Sequence, residues 1–156
     1  MKTFILLIFS AFCLSSYCQD DIQIISERRV IVEVTVNGMQ AFMLLDTGST
    51  LNLINEKELK SFGIKKSFYI GEMSSMHSES AIYSLKNCKL KIGNSEYMQF
   101  GCSNLSNAVN GIYEDTGIEI SGILGTPAIK ELGMIIDLSR GIVTIKNKAS
   151  NALVNK

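Results

Sequence analysis

The chain has 156 residues, with fifteen basic side chains against fifteen acidic ones and a single histidine. Zero formal charge and the absence of any Lys/Arg block argue against nucleic acid or an anionic membrane surface as partner. One proline and no low-complexity tract argue against a disordered chain.

Met1-Lys2 is a short basic start, and Phe4 to Phe12 is an apolar run too short to span a bilayer. Small and polar residues follow from Cys13 to Gln19. This order predicts a secretory signal peptide over residues 1–18, cut near Cys18–Gln19 with Ser16 as the small residue before the cut. Bulky Tyr17 argues against a lipid anchor on Cys18. The expected product is an exported protein, periplasmic or extracellular. Residues 19–156 then make one domain of roughly 138 residues, enough for a modest core. No later apolar run is long enough to cross a membrane.

The mature chain reads mainly as strands. Val30, Val32, Val34 and Val36 alternate with Ile31, Glu33 and Thr35, the period of a half-buried strand. Asn37-Gly38 predicts a tight hairpin, with Met39 to Leu45 returning. Asp46 follows directly on that apolar strand, and Thr47-Gly48-Ser49 turns the chain. A carboxylate at the end of a rigid strand is well placed for function. Gly48 permits a tight turn beside it, and the Ser49 hydroxyl is expected to favour its charged form and an acidic working range.

Asn55 is expected to cap a short helix carrying Leu59 and Phe62 and ended by Gly63. Lys57, Lys60, Lys65 and Lys66 read as a solvated face. A second hairpin is predicted from Ser67–Ile70 and Ala81–Leu85, with a polar tip over 71–80. His77 in that tip reads as solvent-facing, and no metal-ligand spacing exists anywhere, so no metal or other cofactor is expected. A third hairpin turns at Gly93-Asn94, flanked by Cys88 and Cys102. Spacing leaves open whether these two form a disulfide or stay separate thiols. Asp115-Thr116-Gly117 repeats the letters found at Asp46 but follows Ile112-Tyr113-Glu114 instead of an apolar strand, and reads as a surface turn. Thr126 caps a second helix, with Pro127 at its first position and Gly133 past its end. Met134–Leu138 and Ile142–Lys146 close the pattern as a hairpin through Ser139 to Gly141. Many short strands with two short helices predict a mainly β fold, a small closed antiparallel barrel or a sandwich.

The ordered set Asn37-Gly38, then Asp46-Thr47-Gly48-Ser49, then Ile123-Leu124-Gly125 and a helix, resembles the retropepsin-like aspartic proteases over roughly 29–145. The resemblance implies a single lobe of the acid-protease type with a flap hairpin over the substrate. It implies Asp46 as catalytic residue, supported by Thr47, Gly48, Ser49, Ile123, Leu124 and Gly125. Gly71, Glu72, Met73 and Met76 take the flap positions that meet substrate. The chemistry needs two carboxylates sharing one proton, so a chain of one-lobe size implies a homodimer pairing two copies of Asp46, with a polypeptide as substrate. Thr47 is implied to hydrogen-bond across the twofold axis. A second reading keeps this fold as a peptide- or protein-binding module without activity. A third is an unrelated secreted β-sandwich in which Asp46 merely ends a strand.

Overall fold

The computed structural model describes residues 19–75 and 78–146. The predicted leader, Met76, His77 and residues 147–156 lie outside the described residues. In chain order the strands are β1 (Gln19–Gln23), β2 (Ile31–Val36), β3 (Met39–Leu45), β4 (Leu53–Asn55), β5 (Lys65–Ser75), β6 (Ser78–Lys86), β7 (Leu90–Ile92), β8 (Ser95–Tyr97), β9 (Gly101–Ser103), β10 (Gly122–Leu124), β11 (Met134–Asp137) and β12 (Ile142–Lys146). Two helices, α1 (Ser106–Thr116) and α2 (Thr126–Glu131), and a 3-10 turn at Glu56–Glu58 complete the fold.

β2 and β3 form the predicted hairpin, with Asn37 and Gly38 at φ 49° and 84°. A two-residue turn of this kind needs positive φ at both positions, which Asn and Gly tolerate best. The Asn37 amide then ties the turn to its neighbours. Its Nδ2 donates to the Phe62 and Asn87 carbonyls at 3.0 and 2.7 Å, and its Oδ1 accepts from the Lys89 amide at 2.9 Å.

Nine strands pair in the order β5-β6-β9-β4-β10-β3-β2-β7-β8, and a second sheet has the order β1-β12-β11. Two pairs are parallel, β10 with β3 and β4 with β9. Among the described residues no pairing joins β8 back to β5, so the mainly β expectation holds without the closed, antiparallel barrel. β10 lies between β3 and β4, so the chain leaving β3 must arch past the end of β10 before entering β4. That arch is residues 46–52, and it decides the geometry of the site.

Four local expectations need correction. Asn55 does not cap a helix; the 3-10 turn after it has no side-chain cap, and the buried Asn55 Oδ1 accepts from the Leu105 amide at 3.2 Å. The second hairpin runs further than predicted, pairing through Met73↔Ser80 to Ser75↔Ser78, so residues 71–75 and 78–80 of the polar stretch are strand. Backbone pairing does not require apolar side chains, which is why polarity there was a poor guide. The connection after Cys102 holds α1, whose Val109 and Ile112 are buried. Asp115-Thr116 is the last turn of that helix, and Gly117 ends it at φ 73°, the left-handed conformation glycine favours.

The core falls into two clusters. The larger joins Val32, Val34, Val36, Met43 and Leu45 to Leu124, Ala128, Val143 and Ile145. The smaller joins Ile31 and Leu53 to Ile82 of the long hairpin and to Leu105, Val109, Ile112 and Ile120, with Leu44, Met73 and Ile123 packed against it. α1 thus grounds the middle of the β5–β6 hairpin, at Ile82 and Met73, on the strands that lead to and from Asp46. Cys88 and Cys102 are both free thiols, buried in the larger cluster, and no disulfide joins them in this structure. Burial, and then the neighbouring Cys102, push the Cys88 thiol up to about 12. Among the described residues no helix is long and apolar enough to cross a membrane.

Candidate active site

Asp46 leaves the end of β3 half-buried, beside the end of β10, where Leu44 and Leu45 pair in parallel with Ile123 and Leu124. Its amide donates to the Leu124 carbonyl at 3.0 Å, which fixes where the residue leaves the sheet. Its own carbonyl accepts from the Ser49 amide at 3.1 Å, and its Oδ1 accepts from the Gly48 amide at 2.8 Å. These bonds close a tight turn and orient the carboxylate with a backbone donor. Gly48 suits the turn because a Cβ there would stand 3.2 Å from Asp46 Oδ1. Thr47 and Gly48 are exposed, so the turn presents its tip to solvent. Among the described residues Asp46 takes part in no ion pair.

Ser49 differs from expectation. Its hydroxyl donates to the Leu51 carbonyl at 2.8 Å and accepts from the Leu51 amide at 3.3 Å. It braces the next turn and is not placed on the carboxylate. The acidic working range argued from that contact therefore loses its structural ground.

The far side of the arch is held by the segment entering α2. The Thr126 amide and hydroxyl both donate to the Ser49 carbonyl, at 2.9 and 3.1 Å. The Gly125 amide donates to Asn52 Oδ1 at 2.9 Å. Gly125 has no room for a side chain, since a Cβ would meet the Leu51 carbonyl at 2.3 Å and the Ser49 carbonyl at 2.7 Å. The Ile123-Leu124-Gly125 motif is thus an apolar strand beside β3 followed by a close backbone crossing. Leu124 is fully buried, while Ile123 is half-buried on the side of the smaller cluster.

Of the residues the resemblance sets on a flap, Gly71, Glu72 and Met73 lie on β5, and Met73 packs partly into the smaller cluster. Met76 lies outside the described residues. Among the described residues no group of three or more His, Cys, Asp or Glu is placed to hold a metal ion. Asp115, the other Asp-Thr-Gly aspartate, is engaged elsewhere. Arg29 Nε donates to its Oδ2 at 2.9 Å and Arg28 Nη1 to its Oδ1 at 3.3 Å. The Arg29 guanidinium, helped by Arg28, holds its carboxyl below the usual carboxylate range.

Sequence reasoning missed Asn52, Tyr97 and the role of Thr126. The signal for Asn52 was present, because one amide side chain inside Leu51-Asn52-Leu53-Ile54 must find partners if it is buried. Nothing in the sequence pointed to Tyr97 as one of them.

The crystal structure of a retropepsin-like aspartic protease from Rickettsia conorii superposes with a TM-score of 0.56, at 16% identity, over 82% of this chain and 89% of that one. The retroviral protease-like domain of Ddi1 from Leishmania major gives 0.55 at 15% identity, over 76% of this chain and 89% of the other. A comparison with curated proteins finds no match. At these identities the likeness establishes the fold. A sequence profile described as aspartyl protease matches residues 32–128, from β2 through the start of α2 and across the whole site. The chain belongs to the aspartyl protease family and has a retropepsin-like fold.

Proposed function

We propose that this protein is an aspartic endopeptidase whose active centre forms between the Asp46 carboxylates of two copies of the chain. One observation carries the reading. Asp46 stands at the end of β3 with a backbone donor on one oxygen and no ion pair among the described residues, whereas Asp115 is held by two arginines at a helix end. A single carboxylate can act as base or as acid at one moment, not as both. Peptide hydrolysis without a covalent intermediate needs a base to take a proton from water and an acid to donate to the scissile carbonyl. Two carboxylates sharing one proton meet that need. With Asp115 engaged, the second carboxylate is supplied by another copy, across an axis beside the exposed Thr47-Gly48 tip.

In that arrangement the deprotonated Asp46 takes a proton from water, which attacks the peptide carbon. The protonated Asp46 of the second copy donates to the carbonyl oxygen. Collapse of the tetrahedral species returns a proton to the leaving amine and restores the shared state. The β5–β6 hairpin covers the extended substrate. The same reading places the protein outside the cytoplasm, on the basic-apolar-small order of residues 1–18.

The test is cleavage of a mixed peptide library by residues 19–156 across pH 3 to 7, beside Asp46→Asn, with oligomeric state recorded for both. Loss of cleavage in a variant that stays folded and dimeric supports the mechanism. A folded wild-type chain that cuts nothing at high concentration overturns it in favour of a binding module on this fold.

A further inference from the structure

We propose that Asn52, held by Tyr97, is the positioning residue that sets the orientation of the Asp46 turn. The inference rests on the reading of Asp46 as the catalytic carboxylate. The arch from Asp46 to Asn52 is tied to the β10–α2 segment at three points. The first is the Asp46 amide on the Leu124 carbonyl, and the second is the Ser49 carbonyl under Thr126. On the arch side both of these use backbone atoms, which any residue would supply. Only the third, Asn52 Oδ1 on the Gly125 amide, depends on the identity of an arch side chain.

Asn52 is only 5% exposed, and both ends of its amide are engaged. Oδ1 accepts from Gly125 at 2.9 Å and lies 3.4 Å from the Ala128 amide. Nδ2 donates to the Tyr97 hydroxyl at 2.8 Å and to the Gln99 carbonyl at 3.2 Å. Its backbone carbonyl accepts from Gly101 at 3.0 Å. The Gln99 carbonyl can only accept and the Gly125 amide can only donate, so together they set the amide nitrogen on the Gln99 side and the oxygen toward Gly125, and the Tyr97 hydroxyl then accepts from the nitrogen. Tyr97 is a rigid post for this purpose, 2% exposed, with its ring edge-on to Phe100 at 5.4 Å between centroids.

The consequence reaches Asp46 through a short path. Gly125 passes so close to the Ser49 and Leu51 carbonyls that a Cβ would not fit, so the arch has no slack at this point. Releasing Asn52 leaves the buried Gly125 amide without its acceptor and frees the segment that carries the Gly48 donor. A small displacement of a reacting carboxylate lowers turnover more than it lowers substrate affinity. Aspartate at position 52 would keep the acceptor for Gly125 but set a carboxylate oxygen against the Gln99 carbonyl, so the amide is the group that fits.

The experiment compares wild type with Asn52→Ala, Asn52→Asp, Tyr97→Phe and a core control on β12 in the second sheet, Val143→Ala, at a temperature where all are folded. The readouts are kcat and KM on a cleaved peptide, and hydrogen exchange at the Gly48 and Gly125 amides. The expected result is a fall in kcat of about tenfold or more for Asn52→Ala, with KM within about threefold. Tyr97→Phe and Asn52→Asp are expected to fall in the same direction, and Val143→Ala to keep its kcat. Exchange at Gly48 and Gly125 quickens in the Asn52 variants and not in the control. An unchanged kcat in folded Asn52→Ala, or an equal loss in Val143→Ala, overturns the proposal. Should wild type cut nothing, the catalytic reading of Asp46 fails on its own. Unchanged exchange at Gly48 and Gly125 would then overturn the positioning role as well. If Asn52→Ala does not fold, Tyr97→Phe and Asn52→Asp carry the same comparison.

Discussion

Two aspartates in this chain carry the same following residues and occupy opposite physical situations. Asp46 ends a strand and faces the solvent side of a turn, whereas Asp115 ends a helix and holds Arg28 and Arg29. Asp115→Asn is therefore expected to leave peptide cleavage within about twofold of wild type, since its partners lie away from the turn. Its effect on stability has a definite sign. A carboxyl held below its ordinary value adds stability above that range, and the contribution disappears as pH falls through it. Acid unfolding should thus lose part of its pH dependence in Asp115→Asn, measured as denaturation midpoints at pH 6 and pH 3. Gly125 illustrates a constraint of another kind. An added methyl would overlap two carbonyl oxygens of the arch, neither of which belongs to a flexible side chain. Gly125→Ala is expected to cost about 1–3 kcal/mol in urea unfolding and to reduce turnover, because the displaced carbonyls belong to Ser49 and Leu51.

At the scale of elements, α1 distinguishes this chain from the simplest reading of its sequence. Val109 and Ile112 reach the cluster that also takes Ile82 from β6 and Met73 from β5. Ile112→Ala is expected to destabilise the fold by about 2–4 kcal/mol and to quicken exchange in β5 and β6 more than in β2 and β3. Equal quickening everywhere would mean that α1 stabilises the whole fold without grounding the hairpin. Sequence reading succeeded where geometry is local. Asn37-Gly38 dictated one turn, and Pro127 marked the start of α2, although Gly125 and not Thr126 stands at the cap and Thr126 is the first helical residue. The helix α1 was hard to read because its buried stripe is only Leu105, Val109 and Ile112, with Gly111 inside the helix and no side-chain cap. The parallel pairing of β3 with β10 joins residues far apart in sequence, and alternation within either strand cannot reveal it. The motif was legible in its placement, since Asp46 follows directly on β3 and Gly125 directly on β10. It was not legible as a network, because Asn52, Tyr97 and Thr126 meet only once the sheet order is known.

The whole molecule makes two demands, one on its core and one on its assembly. Cys88, Cys102 and Tyr97 are all raised above their ordinary values, burial being the largest cause for each. Groups that resist deprotonation in the fold lend stability below their unfolded values and lose it as pH rises. Urea midpoints should therefore fall between pH 8 and pH 10, and both thiols should react with a soluble disulfide reagent only after unfolding. Assembly is the more telling demand. If each active centre needs Asp46 from two copies, a chain carrying Asp46→Asn poisons its partner. Mixing equal amounts of wild type and variant, with time for exchange, leaves roughly a quarter of the dimers with both aspartates. Those dimers are drawn from twice the total chain, so the rate at fixed wild-type concentration should fall to about half. A centre contained within one copy would predict no change on mixing. Dilution gives an independent check, because activity per chain should decline as dimers dissociate and return when the protein is concentrated again. A rate unaffected by both mixing and dilution would show that one copy suffices, and the origin of the second proton-transfer group would then have to be sought within the single chain.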